Sequence, residues 1–151
     1  MRSTIVVLLS VFVFFVATAQ AAEDRAAKCE ELVDKAVTFV QKKGTDYALK
    51  VFNCSKGPFI DRDLYIFVLS LDNVMLAHPY QKKIVGKSVD EYSDGKGNKL
   101  FQEFKKVVLN GGEGWVEYWW AKPGESGEFA KRSFVKRVPG QDIYLGAGYY
   151  E

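Results

Sequence analysis

Between Asp24 and Lys43 the apolar residues Cys29, Val33, Ala36, Val37 and Val40 recur at steps of three and four, separated by charged side chains. That spacing gathers them into one stripe and predicts an amphipathic helix, which Gly44 stops. At 1.5 Å per residue it would be about 30 Å long, enough to lie along a small sheet as a spine. A second, shorter helix is expected from Thr45, a good N-cap, through Phe52. Lys56-Gly57-Pro58 breaks the chain, and the pattern then turns to strands. Leu64 to Leu69 is apolar on both alternations, so this strand is covered on both faces. Asp72-Asn73 supplies a tight turn, since both residues tolerate the left-handed region, and Val74 to His78 returns antiparallel until Pro79 ends it. Gln81 to Asn98 reads as loop, with bends at Gly86, Gly95 and Gly97. Leu100, Phe101, Phe104, Val107 and Val108 then mark an amphipathic helix that ends at Gly111-Gly112. Three strands follow, Trp115 to Ala121, Phe129 to Val138 and Ile143 to Tyr150, joined through Pro123-Gly124 and Pro139-Gly140. The order predicts an α+β fold: a long N-terminal helix packed on a five-stranded antiparallel sheet, with the loop-plus-helix excursion capping the other face.

Ahead of the first helix, a basic start at Arg2, an apolar run from Ile5 to Ala17 and the small-x-small triplet Ala19-Gln20-Ala21 have the layout of a secretory signal peptide. Residues 1–21 are therefore expected to be the leader and residues 22–151 a single domain, periplasmic or secreted after cleavage. Ala17-Thr18-Ala19 offers a second cut, and the apolar run falls short of the roughly 18–20 residues that cross a bilayer as a helix. In the oxidising compartment that this implies, Cys29 and Cys54 are expected to pair. If the short helix folds back on the long one, both cysteines lie about 20 Å from the Gly44 corner, which suits a bridge. Composition narrows the functions further. The formal charge of +2 includes Arg2, so residues 22–151 carry +1, and their basic pairs are interleaved with acids, which gives nucleic acid no electrostatic footprint. One histidine and no close-spaced ligand set leave no metal site, and no cofactor motif is present. Gly86-Lys87-Ser88 lacks the glycine that a phosphate loop requires five residues before Gly86, where Gln81 stands. No nucleophile-and-base constellation can be assembled, so an enzyme is not expected.

Several short motifs form a set: Lys56-Gly57-Pro58-Phe59, Asp63-Leu64-Tyr65-Ile66-Phe67-Val68, Ala77-His78-Pro79, Gly86-Lys87, Gly114-Trp115-Val116-Glu117-Tyr118, Trp120 and Gly146-Ala147-Gly148-Tyr149. In this order and spacing the chain resembles the single Cache domain family, type 2, the PAS-like extracytoplasmic sensor domain of bacterial chemoreceptors and histidine kinases. The resemblance spans nearly all of residues 22–151. It implies a long helix against a PAS-like sheet and a pocket for a small organic ligand, often a short carboxylate. Only Glu151 follows Tyr150, so a stand-alone exported sensor domain is expected, with signalling through a separate membrane-bound receptor or kinase.

Alternation puts Tyr118 and Trp120 on one strand face and Trp115, Glu117 and Trp119 on the other. The resemblance implies that the Tyr118 and Trp120 face lines the ligand pocket and that His78 borders it, where the imidazole would donate to a carboxylate or change charge near neutral pH. Tyr65 and Phe67 share a face of the first strand and would extend that wall. Lys131, with Ser133 on its face, is the cation that a carboxylate in an aromatic pocket needs, whereas Arg132 points away. The bland readings compete at each position: a strand-end histidine, core aromatics and a solvent-facing lysine. They add up to a structural or protein-interaction module with no small-molecule ligand, which a closed cavity would favour.

Overall fold

The computed structural model describes the backbone of residues 4–151 and the side chains of residues 20–151. The expected leader over residues 1–21 lies almost wholly outside the described side chains. Helix α1 runs from Thr4 to Lys43. Its buried stripe consists of Cys29, Val33, Ala36, Val37 and Val40, the positions that the three-four spacing picked out. Gly44, at φ 83°, turns the chain into α2, Thr45–Phe52. Thr45 does not cap that helix: Gly44 occupies the cap position, and the Thr45 hydroxyl donates to Gln141 Oε1 at 2.5 Å, tying α2 to the last inter-strand turn.

The predicted continuous strand over Leu64–Leu69 is broken. Ile60–Asp61 (β1) and Leu64–Tyr65 (β2) form a small hairpin across Arg62, whose φ is 57°. After Ile66 the chain joins the main sheet as β3, Phe67–Ser70. Asn73, at φ 55°, makes the expected turn into β4, Met75–Ala77, and a bulge at Val68/Leu69 adjusts the register of that pair. A single 3-10 turn, Lys82–Ile84, and the loop to Lys99 lead into α3, Leu100–Asn110. The remaining strands are β5 (Glu113–Ala121), β6 (Glu128–Arg137) and β7 (Ile143–Tyr150). The five-stranded sheet has the order β4-β3-β7-β6-β5 with every neighbouring pair antiparallel. The excursion through α3 therefore carries the chain from one edge of the sheet to the other.

Each face of the sheet has its own core. Val33, Ala36, Val37 and Val40 of α1 pack on Ile66, Val68, Phe134, Leu145 and Ala147, a mainly aliphatic layer that also takes in Phe52. Leu100, Phe101, Phe104 and Val108 of α3 pack on Tyr65, Phe67, Tyr118, Trp120, Tyr144 and Tyr150, a layer dominated by aromatic rings. Each large side chain buried this way stabilises the fold by about 1.5–3 kcal/mol relative to exposure.

The two expected partners of a disulfide are both free thiols, Cys29 buried and Cys54 exposed. Cys29 lies fifteen residues before Gly44, about 22 Å along a helix, whereas α2 advances only eight residues, about 12 Å. Beyond Phe52 the chain tightens instead of extending: Cys54 N–H bonds back to the Val51 carbonyl and Gly57 N–H to the Cys54 carbonyl. Cys54 thus stops well short of Cys29, which packs instead against Leu64 and Tyr149.

Gly146 and Gly148 lie on the aromatic face of β7, between Tyr144 and Tyr150. A methyl at Gly146 would stand 2.7 Å from Phe67 Cζ, and one at Gly148 would collide with Ser133 Oγ and the Arg132 carbonyl. Gly148→Ala is expected to lower the unfolding free energy by about 2 kcal/mol in urea titrations. Adding Ser133→Ala should recover only part of that loss, because the Arg132 carbonyl stays in place.

Candidate ligand-binding site

The aromatic layer between the sheet and α3 holds a small cavity lined by Tyr65, Phe67, Met75, His78, Leu100, Phe101, Phe104, Tyr118 and Trp120. Five of the six predicted ligand residues are among these walls. The sequence reading placed α3 on this face of the sheet but did not name its residues Leu100, Phe101 and Phe104 among the walls. Its apolar stripe was visible, and because α1 already covers one sheet face, that stripe had only the other face to cover. The cavity measures about 10 Å³, at the lower limit for one water molecule. The rings fill the space themselves: Phe67 stacks on Phe104 at 5.5 Å, and Trp120 meets Phe101 edge-on at 5.8 Å.

Most polar groups in this layer are paired. The Tyr118 hydroxyl and Ser133 Oγ are 2.8 Å apart, linking neighbouring strands on one face. The Tyr150 hydroxyl donates to the Ala121 carbonyl at 2.8 Å, which leaves the Tyr65 hydroxyl to donate to Tyr150 at 3.4 Å. Burial pushes the Tyr65, Tyr118 and Tyr150 phenols up, Tyr150 to about 12, so all three remain protonated.

His78 is buried where β4 ends. Pro79 turns the chain so that the backbone N–H groups of Tyr80 and Gln81 donate to His78 Nδ1 at 3.2 and 3.0 Å. With Nδ1 accepting, the neutral ring carries its proton on Nε2 and offers a donor there. Burial, reinforced by Lys131 and Lys82, holds the imidazole well below its ordinary pKa. The expected change of charge near neutral pH therefore does not occur: His78 is a fixed neutral donor, held at 4.9 Å from the Tyr65 ring and 5.8 Å from Trp120.

Lys131 is the exception to the pairing. Alternation along β6 brings it beside Tyr118 on β5 and Tyr150 on β7, and only 2% of its surface is exposed. Its ammonium lies 3.9 Å from the Tyr65 ring centre and 4.7 Å from that of Tyr150. Lys131 is not a wall of the cavity itself, but Tyr65 belongs to both surroundings. Among the described residues, Lys131 Nζ and Arg132 Nε are the buried side-chain nitrogens without a hydrogen-bond partner. Arg132 nonetheless keeps a charge partner, Glu117 Oε1 at 3.2 Å, on the opposite sheet face over Trp115. Lys131 has only ring faces, and two cation–π contacts do not replace the hydrogen bonds that an ammonium makes in water. Burial consequently pulls its pKa down to about 7, against small opposing effects from Cys29 and Asp63.

Asp94, in the loop before α3, also positions the pocket. Its carboxylate accepts from the backbone N–H groups of Lys96 and Asn98 and the Asn98 amide within the turn, and from Trp119 N–H on β5 at 2.9 Å. Burial alone would raise this carboxyl, but the donors outweigh it and hold the group below the usual range. The loop before α3 is thereby pinned to the edge strand that carries Tyr118 and Trp120.

The buried bases give a pH test of this arrangement. Lys131 titrates near 7 in the folded chain and near 10.5 when unfolded, so between those values the unfolded chain binds the extra proton and stability rises with pH. From pH 7 to 9 the gain should be about 2 kcal/mol by urea unfolding, and Lys131→Met should remove it. His78 adds a limb of the same sign at lower pH, with stability lost as pH falls below about 6.5, where only the unfolded imidazole protonates.

Comparison with known proteins follows the same lines. The sequence profile of the Cache domain family matches residues 55–151. The methyl-accepting chemotaxis protein McpP of Pseudomonas putida is 26% identical over 118 residues, 78% of this chain, and the chain spans 21% of that relative's length. The periplasmic sensor domain of a chemotaxis protein superposes with a TM-score of 0.68 at 27% identity, covering 86% of this chain and 96% of that one. A Cache chemosensory domain solved to explain its recognition of carboxylic acids shares the fold, with a TM-score of 0.68 at 24% identity over 91% of this chain and 95% of that one. With the profile match spanning well over half of its length, and with the predicted helix and sheet in place, this chain belongs to the Cache domain family as a single Cache domain of type 2.

Proposed function

We propose that this protein is an extracytoplasmic sensor domain that captures a short organic carboxylate, with residues 1–21 acting as its export signal and residues 22–151 as one ligand-binding domain. The observation that carries the reading is Lys131 Nζ, buried in the aromatic layer and without a hydrogen-bond acceptor. An ammonium in such a place is costly until an anion reaches it, and a carboxylate supplies both the charge and the missing acceptors. His78 Nε2–H is a second donor near the same Tyr65 ring, and Tyr65, Phe67, Tyr118 and Trp120 form the apolar walls that exclude water. Because the cavity has room for only about one water, capture requires these rings to part. Arg25 on α1 donates to the Tyr150 carbonyl at 2.9 Å and to Asp63 at 2.6 Å. A shift of Tyr150 on binding thus has a direct path to the long helix, and from there to a separate membrane-bound receptor or kinase.

A second reading, an interaction module with no small-molecule ligand, is favoured by the cavity volume alone. A thermal-shift screen of the purified protein against two- to four-carbon carboxylates, amino acids and amines separates the two, since a ligand of the folded state raises the melting temperature. Carboxylates are expected to give the shift, and Lys131→Met is expected to weaken their binding about a hundredfold. A folded protein that responds to none of these compounds decides for the interaction module. Binding that survives Lys131→Met unchanged removes Lys131 from the site.

A further inference from the structure

Lys131 has no hydrogen-bonded base in its surroundings, although Glu117 and Glu151 line a surface pocket that it also borders. From α1 the group coupled to it by charge is the Cys29 thiol, which burial pushes up to about 12 and so keeps protonated. Arg25, on the same helix, is itself a cation. From the turn between β1 and β2 comes Asp63, whose carboxylate is committed to Arg25 at 2.6 Å. From β2, β5 and β7 come the Tyr65, Tyr118 and Tyr150 phenols, all protonated, and from the end of β4 comes His78, neutral. Glu117, the acid nearest along β5, points to the other face and pairs with Arg132. In the free protein, then, the Lys131 amine is the one group of this cluster poised to gain or lose a proton near neutrality, and no neighbour moves to compensate.

We infer that carboxylate capture at Lys131 takes up a proton, so that the site responds jointly to the carboxylate and to pH. The inference rests on the carboxylate reading of the site. The balance is simple: the free site holds R–NH₂, the ligand arrives as R′–COO⁻, one proton enters from solvent, and the occupied site holds the R–NH₃⁺···⁻OOC–R′ pair. The bound carboxylate stabilises the ammonium that the empty site disfavours. Where the free site is mostly neutral amine, occupancy depends on the product of carboxylate and proton concentrations. That product is proportional to the concentration of the undissociated acid. Above neutrality the domain would therefore measure weak acid, not total carboxylate, and each further pH unit would weaken apparent affinity about tenfold.

Calorimetric titration of the full-length protein with acetate and propionate, in two buffers of different ionisation enthalpy, reads the proton count directly. The expected result is uptake of about one proton per ligand near pH 8 and close to none near pH 6, with the dissociation constant rising about tenfold per unit between pH 8 and 9. Heats that do not depend on the buffer at pH 8 would overturn the inference while leaving carboxylate binding intact. Absence of binding at either pH would overturn the ligand reading and this inference with it. A measurement on the unliganded protein guards against a poorly folding variant: the Lys131 Cε resonance, assigned by its loss in Lys131→Arg, should titrate near 7. A midpoint above 9 would also overturn the inference.

Discussion

Strand β7 has no side that faces water. All eight residues from Ile143 to Tyr150 are buried, with β3 on one flank and β6 on the other. Its side chains therefore have to sort between two layers: Ile143, Leu145 and Ala147 toward α1, and Tyr144 and Tyr150 toward α3. Because side chains alternate with a period of two, a slip of one residue would send tyrosines into the aliphatic layer and leave the aromatic one short. Gly146 and Gly148 are part of the same constraint. Phe67 and the Ser133 hydroxyl occupy the space that their missing side chains leave on the aromatic face.

The two layers then take different roles. The layer under α1 is mainly aliphatic with a few phenylalanines, and its buried core holds no polar side chain. The layer under α3 contains hydroxyls, an imidazole and an amine, and each hydroxyl had to find a partner for the fold to tolerate it. Tyr118 has Ser133, Tyr150 has the Ala121 carbonyl and Tyr65 has Tyr150. His78 is held by two backbone N–H groups. Among these groups one buried amine has only ring faces around it, and the cost of its charge falls when an anion pairs with it. On the proposed carboxylate reading, a domain most stable with its amine neutral and binding best with it charged would link ligand, proton and fold through a single side chain.

Placement also gives such a site a way out to the rest of the molecule. Tyr150 touches Lys131 through its ring, Tyr65 through its hydroxyl and Arg25 of α1 through its carbonyl. The pocket and the long helix are on opposite faces of the sheet, yet they meet at the end of β7, where the small β1–β2 hairpin brings Asp63 to Arg25.

The sequence by itself determined the periodicities: the α1 stripe, the face shared by Tyr65 and Phe67, the opposition of Tyr118 and Trp120 to Trp115, and the last strand to the residue. These are local properties, set by the 3.6-residue and two-residue repeats, and packing had only to accept them. Tertiary structure decided what depends on distance between separate elements. Cys29 and Cys54 stay apart because the turn after Phe52 folds up where a bridge needed it to extend. Leu64 to Leu69 splits because the hairpin to Ile60 and the main sheet compete for the same run. His78 lost its expected titration to burial and to Lys131, and Lys131 acquired its own only because β2, β5 and β7 enclose it with rings. A charge's environment is made by neighbours distant in sequence, and no local pattern records it.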